Sequence, residues 1–500
     1  MVGRKASLKA IGWTSGAGEQ YEMVGDSELP KHPTPVVISD KKGRAKWTVS
    51  IPPNAGFPLK PQQYSDICLH NRAVSMHVAD LHRHMGSEHA AHFDYYHVDQ
   101  YFMDVEEAVA RGLLPGISAT GMMSGVNSGL PACEKTMTFV LETSDAGLGN
   151  GLMQLWTAYG LAKKEGRDFF IDDTRWVYGK YSTFFQPPPI PNCRPPPRHE
   201  MLPCPHHARH LVVSAATVAY TFGGQFNEHF EDPKKMEVFR QQPIFALART
   251  GFEALFHLQS VDANYLNSRL AEFAKKTTMD NNMGRGLTIG MHIRHGDRRP
   301  YEFQYKDSYI PNDLYIDEAR EQLYKTFETS GKNGTEDLMS EMKSIFIVAS
   351  DDPDVYTTTE FSHAMRAQEH ISLASKSNTK TPSKPLPSPR KFVEEGVGWE
   401  GGFFAGMFWS LGKPLGSPST SLKEIDTSKP PSPEALKLRE LIGRAYLLDL
   451  AILGRSDRIV CTVSSMACRL LAIMMGWENA FVKDHWKNVD GAFEWRGIEW

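Results

Sequence analysis

Short apolar runs alternate along the chain with stretches in which apolar residues recur at helical spacing. Thr136 to Leu141 (TMTFVL) is continuously apolar and short, which predicts a strand buried on both faces. The glycine-rich Ser144 to Gly151 follows, then a helical pattern from Leu152 to Lys164 and a second strand pattern at Asp168 to Asp172 (DFFID). Strand, glycine turn, helix, strand is the unit of a parallel sheet. The pattern returns in the second half. Gly286 to Ile293 (GLTIGMHI) and Ser344 to Ala349 (SIFIVA) read as strands, with a helix from about Asp313 to Glu328 between them. Glu434 to Leu453 reads as a helix, Arg458 to Thr462 as a last strand, and Ser465 to Met475 as the helix after it.

Between these periodic stretches the chain is polar. Residues 1 to about 60 are rich in Gly, Pro and Lys and read as irregular; Gln62 to Gly112 turns helical. Residues 187–205 are proline-rich and read as loop. Residues 375–391 and 413–434 are rich in Ser, Thr, Pro and Lys, and read as flexible insertions that cannot bury enough apolar surface to order themselves. The expected organisation is a partly irregular, partly helical N-terminal extension (1–130) and two Rossmann-like α/β domains (131–285 and 286–500) facing a cleft.

Composition narrows the function. With 500 residues the chain is too long for one core. A formal net charge of -4 without a clustered basic face excludes a nucleic-acid footprint. No run approaches the roughly 18 apolar residues of a membrane span. Met1 to Glu19 has no apolar signal core either, so the expectation is a cytosolic protein or a chain whose leader lies outside this sequence. Seven histidines crowd between His70 and His97 (70, 77, 82, 84, 89, 92, 97), but they share no helical face and no HExxH spacing, so no metal is expected there. The six cysteines show no CxxC spacing, and counting alone leaves free buried thiols and disulfides equally open. The sequon Asn333-Gly334-Thr335 has meaning only in a secretory compartment.

Two segments carry candidate chemistry. Gly147-x-Gly149-x-Gly151 follows a strand and opens a helix, where backbone N–H groups attract phosphate; a plain tight turn explains it equally well. Gly290-Met291-His292-Ile293-Arg294-His295-Gly296-Asp297-Arg298-Arg299-Pro300-Tyr301-Glu302 delivers cations to the end of a strand, where open α/β sheets bind ligands and arginine clamps phosphate. Residues 294–300 fit RHGxRxP, the signature of histidine acid phosphatases, whose histidine is a phosphorylated nucleophile. That motif needs a later His-Asp or His-Ala-Glu proton donor, and His363, His370 and His485 stand in SHA, EHI and DHW.

The same segment resembles the H-[VI]-R-R-x-D-K turn of the α-1,6-fucosyltransferases of N-glycan cores and of the related Nod-factor fucosyltransferases. The resemblance is collinear from Cys133 to the end of the chain. Gly147-Leu148-Gly149 is similar to that family's Gly-Tyr-Gly loop, Trp176 to Phe185 to its W-R-Y…W-E-T-V-F stretch, and Ser350-Asp351-Asp352-Pro353 to its T-D-D-P. Asp449 to Arg469 (DLAILGRSDRIVCTVSSMACR) resembles its D-I-x-F-L-x-x-A-D-x-x-V-C-T-x-S-S-x-x-C-R block and is the most specific signal.

The resemblance implies a GT-B-like fold and an inverting, metal-independent transfer of L-fucose from GDP-fucose to a glycan or glycoprotein acceptor. Residues 131–285 would form the acceptor-side domain and 286–500 the nucleotide-sugar domain. It implies Arg294 on the β-phosphate, His292 in the nucleotide pocket and Asp449 on guanine. Gly147, Leu148, Gly149, Asn150, Tyr178, Asp351, Asp352, Ser464 and Ser465 complete the donor site. Glu302 would deprotonate the acceptor, with Arg298 and Asp297 beside it. It also implies disulfides Cys133–Cys193 and Cys461–Cys468, an oxidising Golgi or secretory lumen, and no cofactor; Cys68 and Cys204 stay unassigned. Two positions depart: His295 replaces a family arginine and Arg298 a lysine, which keeps a catalytically inactive nucleotide-sugar or glycan-binding relative open as a further alternative. Trp399 to Phe404 reads equally as an acceptor-side loop or as core.

Overall fold

The computed structural model of the protein describes residues 30–40, 42–52, 54–83, 94–114, 129–142, 147–278, 285–295, 300–328, 343–371 and 431–498. The described residues open on an antiparallel hairpin, β1 (Thr34–Ser39) and β2 (Ala45–Ser50), with Val36 opposite Thr48 and Val37 opposite Trp47. Helix α1 (Pro61–Arg83) covers it, followed by the single-turn α2 (Val105–Ala110). Tyr64, Ile67, Val74 and Val78 recur at helical spacing on α1 and bury against Val36, Val37, Trp47 and Val49. This corrects the irregular reading of the first 60 residues: the runs VVI and WTV are strands whose apolar signal is too short to stand out in polar surroundings. It also narrows the helical reading of 62–112, because α1 is described to Arg83 and residues 94–104 carry no helix.

The first α/β unit contains β3 (Thr136–Val140), α3 (Leu148–Lys164), β4 (Asp168–Asp172) and the one-turn α4 (Tyr181–Phe184). It continues through β5 (Met201–Leu202), β6 (His210–Ser214), and helices α5 (Val218–Phe222), α6 (Gly224–Phe230), α7 (Gln242–Leu255) and α8 (Ser260–Thr277). Its four strands are all parallel, in the order β4-β3-β6-β5. The edge strand β5 lies inside the stretch expected to be only loop: two residues there pair with His210 and Leu211. One face of this sheet (Val140, Val212, Met201, Leu202) packs on the N-terminal hairpin and α1; the other (Met137, Phe139, Leu211, Val213) packs on α3. Helix α3 is apolar nearly all round and accordingly buried from Leu148 to Ala162 apart from Asn150 and Gly151.

The second unit contains β7 (Thr288–Ile293), α9 (Asn312–Glu328), β8 (Ile345–Ser350), β9 (Met365–Arg366), α10 (Pro433–Leu453), β10 (Arg458–Cys461), α11 (Met466–Met475) and β11 (Trp486–Asn488). Its five strands are also all parallel, ordered β11-β10-β7-β8-β9. Ile289, Met291 and Ile293 pack on α9, while Ile347, Ile459 and Cys461 join α10 and α11 in a core that continues into the first unit. The fold is therefore mixed α/β with two parallel sheets sharing one continuous apolar core. Disulfides join Cys68 to Cys204, Cys133 to Cys193 and Cys461 to Cys468; the first ties α1 to the segment before β6. No helix among the described residues is long and apolar enough to cross a membrane.

Candidate functional site

β7 lies between β10 and β8, so its C-terminal end is flanked by both neighbours. Cys461 is opposite His292, and Ser350 is opposite Ile293. Three segments far apart in sequence thus leave the sheet side by side: Arg294-His295, Asp351-Asp352 and Thr462 to Ser465. This is the edge at which parallel sheets of this type bind ligands.

Arg294 Nη1 donates to Asp351 Oδ2 at 2.8 Å; the aspartate side chain is 3% exposed and the guanidinium 22%. The other oxygen, Asp351 Oδ1, accepts the backbone N–H of His295 at 2.8 Å. Asp352 divides its carboxylate in the same way. One oxygen accepts the N–H of Asp354 and caps the short 3-10 turn Pro353–Thr357, and the other lies 2.8 Å from His295 Nδ1. Neither aspartate is spread for a cation; both organise the loop that aims Arg294.

His295 is only 7% exposed and stacks on Tyr309, ring centroids 3.9 Å apart and 7° from parallel. A nucleophile that attacks a phosphoester must be reachable, so this placement weighs against the phosphatase reading. His292 is buried one residue before the end of β7, and burial pushes its imidazole down to about 4. It is a neutral group at neutral pH.

On the other flank, Ser464 and Ser465 are buried at the start of α11, and Ser465 occupies its N-cap without using its hydroxyl to cap. The disulfide Cys461–Cys468 staples the end of β10 to the first turn of this helix. Helix α3 starts nearby. Its N-cap is Gly147, and a Cβ placed on Gly149 would stand 2.5 Å from Tyr446 Oη and 3.3 Å from Met466 Cβ. The first turns of α3 and α11 therefore meet around Tyr446 of α10. Burial raises the Tyr446 phenol well above its ordinary value; Arg294 pulls it back down, and Asp449 pushes it further up. Asp449, one helical turn beyond Tyr446 on the same face, is 6% exposed.

The arrangement brings Arg294, Asp449, Ser465 and Gly149 to one locality. Two helix N-termini and a guanidinium supply N–H donors there, alongside the carboxylates of Asp351 and Asp449. Tyr446 was not singled out from the sequence, although its i, i+3 spacing to Asp449 was available as a signal.

Other expected residues fall elsewhere. Tyr178 is fully buried among Trp176, Phe184 and the helix α10 backbone at Gly443, so its ring serves the core and not an open donor pocket. The Leu148 side chain is likewise buried. Asn150 is partly exposed on the first turn of α3. Glu302 is half-buried, and its backbone N–H donates to Asp490 Oδ1 at 2.8 Å. Asp297, Arg298, Asn333, the insertion 375–391, most of 413–434 and Trp399 to Phe404 lie outside the described residues. α10 begins at Pro433, inside the end of the second expected insertion. Among the described residues, the one grouping with metal-like spacing is Cys133, Asp168 and Cys193, and both sulfurs there are consumed in a disulfide. His82 is engaged elsewhere, with Nε2 2.9 Å from the Ala45 carbonyl and its ring stacked on Tyr101.

No protein-family model matches the chain, and no curated protein matches it. Among solved structures it is similar to NodZ alpha-1,6-fucosyltransferase co-crystallised with GDP, at 13% identity over 67% of this chain and 91% of that one, TM-score 0.34. It is similar to the same enzyme soaked with GDP-fucose, at 11% identity over 68% and 92%, TM-score 0.31. It is also similar to fucosyltransferase NodZ from Bradyrhizobium, at 14% identity over 68% and 93%, TM-score 0.34.

Proposed function

We propose that the chain is an inverting, metal-independent fucosyltransferase that moves L-fucose from GDP-fucose to a glycan acceptor. The observation that carries this reading is the meeting of Arg294, the first turns of α3 and α11, and Asp449 around Tyr446. A departing nucleoside diphosphate gains negative charge as the glycosidic bond breaks. Prearranged cationic and N–H groups stabilise that charge where it develops. Arg294, held at a fixed angle by buried Asp351, supplies the cation; the two helix starts supply N–H donors. Asp449, as a buried carboxylate, accepts two N–H groups from a guanine edge.

Glu302 is the base that takes the acceptor proton, and Asp297 and Arg298 are assigned to catalysis by the sequence resemblance alone. The donor site belongs to residues 286–500 together with the first turn of α3, and the acceptor side to the rest of 131–285, the two facing each other in a GT-B arrangement. Three disulfides fit an oxidising compartment, and the Golgi or secretory lumen is the proposed location.

The test is a panel of GDP- and UDP-sugars, with and without EDTA, alongside thermal unfolding with GDP, ADP or UDP. GDP alone should raise Tm, GDP-fucose should turn over, EDTA should leave the rate intact, and Arg294→Ala should abolish both effects. Protection by UDP in place of GDP, or loss of turnover in EDTA, overturns the reading. GDP protection without turnover of any sugar donor identifies a binding protein instead.

A further inference from the structure

Tyr301 and Glu302 reach the sheet edge in a segment without regular structure, just before the 3-10 turn Phe303–Tyr305, yet three separate groups hold them. Asp490 is 0% exposed, and its carboxylate accepts the backbone N–H of Tyr301 on Oδ2 at 3.0 Å and that of Glu302 on Oδ1 at 2.8 Å. Arg469 Nη2, from buried α11, donates to Tyr301 Oη at 2.6 Å. Gly491, at φ +64°, lies directly against the Glu302 carboxylate: a Cβ there would overlap Oε2. Glycine takes that conformation without strain and leaves that space to the carboxylate.

The turn is itself anchored to the other side of the site by one amide. Asn488 Oδ1 accepts the N–H of Asp490 at 3.0 Å and that of Val463 at 2.8 Å. Its Nδ2 donates to the carbonyls of Asp490, Gly491 and Phe493 at 3.2, 3.1 and 3.0 Å. Val463 leads directly into Ser464 and Ser465. A single side chain thus couples the turn that faces Glu302 to the turn that starts α11. Burying a carboxylate and satisfying it with two main-chain donors of an irregular segment costs desolvation, and what it secures is the conformation of that segment.

We propose that the Asn488–Gly491 turn is the seat of Glu302, with Asp490 and Gly491 acting as positioning residues that fix the acceptor-deprotonating carboxylate relative to the phosphate-binding turn. This inference rests on the fucosyl-transfer reading for its catalytic consequence, though not for its geometry.

Asp490→Asn keeps the shape but offers an N–H₂ where one main-chain N–H needs an acceptor. Gly491→Ala intrudes on the carboxylate. In each variant the transfer kcat should fall on the order of ten- to a hundred-fold, as expected for a reacting group displaced by about 1 Å. KM for GDP-fucose and the GDP-induced Tm shift should stay unchanged. In a Glu302→Gln background, Asp490→Asn should cost nothing further. Amide exchange in the peptide spanning 300–305 should accelerate in Asp490→Asn. An unchanged kcat, an equal loss in the Glu302→Gln background, or a lost GDP shift overturns the proposal. Should Asp490→Asn fail to fold, Tyr301→Phe removes the hydroxyl that accepts from Arg469 and is read by the same measurements. Should the wild-type protein turn over no sugar donor, the fucosyl-transfer reading has failed. Amide exchange at 300–305 then decides the seat alone: acceleration in Asp490→Asn supports it and an unchanged rate overturns it.

Discussion

Asp351 holds Arg294 through one oxygen and the His295 backbone through the other, so one buried carboxylate sets both the charge and the path of the loop. Removing one partner of such a pair leaves an uncompensated charge. Because the guanidinium retains some exposure, Asp351→Ala should destabilise the fold toward the lower end of roughly 3–5 kcal/mol, read as a shift in the urea midpoint. Arg294→Ala strands the more deeply buried Asp351 carboxylate, so it should cost at least as much stability, and it should lose the GDP-induced Tm shift. The buried histidines make a second expectation. Burial pushes His292 and His210 down to about 4, so both are neutral in the fold. Unfolded imidazole takes up a proton near 6.5, which the folded state refuses until about 4. Their contribution is intact above about pH 6.5 and is lost as pH falls toward 4, by about 1.4 kcal/mol per unit for each group. Urea midpoints between pH 7 and 4.5 should show this decline, with a shallower slope in His292→Asn; equal slopes would contradict it.

Among the elements, α3 packs backbone against backbone inside the first unit. It crosses α7 through two glycines: a Cβ on Gly160 would overlap the Leu247 carbonyl, and one on Gly251 the Trp156 carbonyl. Backbone cannot yield as a side chain can. Gly160→Ala or Gly251→Ala should cost at least about 1–3 kcal/mol, measured by chemical denaturation. Gly149, in the first turn of the same helix, is a contrasting case. Its nearest neighbour is the hydroxyl end of Tyr446, which can swing away. Gly149→Ala should keep Tm within a few degrees while weakening the GDP-induced shift, because the methyl enters the space between the two helix starts.

At the scale of the whole molecule, the N-terminal hairpin and α1 replace a helical layer on the face of the first sheet opposite α3. The disulfide Cys68–Cys204 closes a separation of 136 residues and pins this layer in place. Replacing both cysteines by serine should cost about 2–5 kcal/mol. GDP binding measured well below Tm should survive, since the layer lies on the far side of the sheet from the α3 and α11 starts. Loss of GDP binding in that variant would show that the layer shapes the site. The Asp262–Arg444 pair, bidentate at 2.7 and 2.9 Å, joins α8 to α10 and holds the helix that carries Tyr446 and Asp449.

What the residues determine by themselves is whatever depends on near neighbours in the chain. Continuous apolar runs marked β3, β7 and β8, and helical spacing marked α3, α9, α10 and α11 to within a few residues of their ends. The Arg294 turn stood out as a local cluster of charge at the end of a strand, and the Asp449 to Arg469 block through its resemblance to a family motif. Only the tertiary structure decided which side chains reach the sheet edge and which are buried. Tyr178 goes to the core because α10 lies over it, His295 is closed off by Tyr309, and Tyr446 becomes the meeting point of two helix starts. Asp490 finds the backbone of Glu302 across 188 residues. Burial and pairing of this kind are set by contacts distant in sequence, and no local periodicity encodes them.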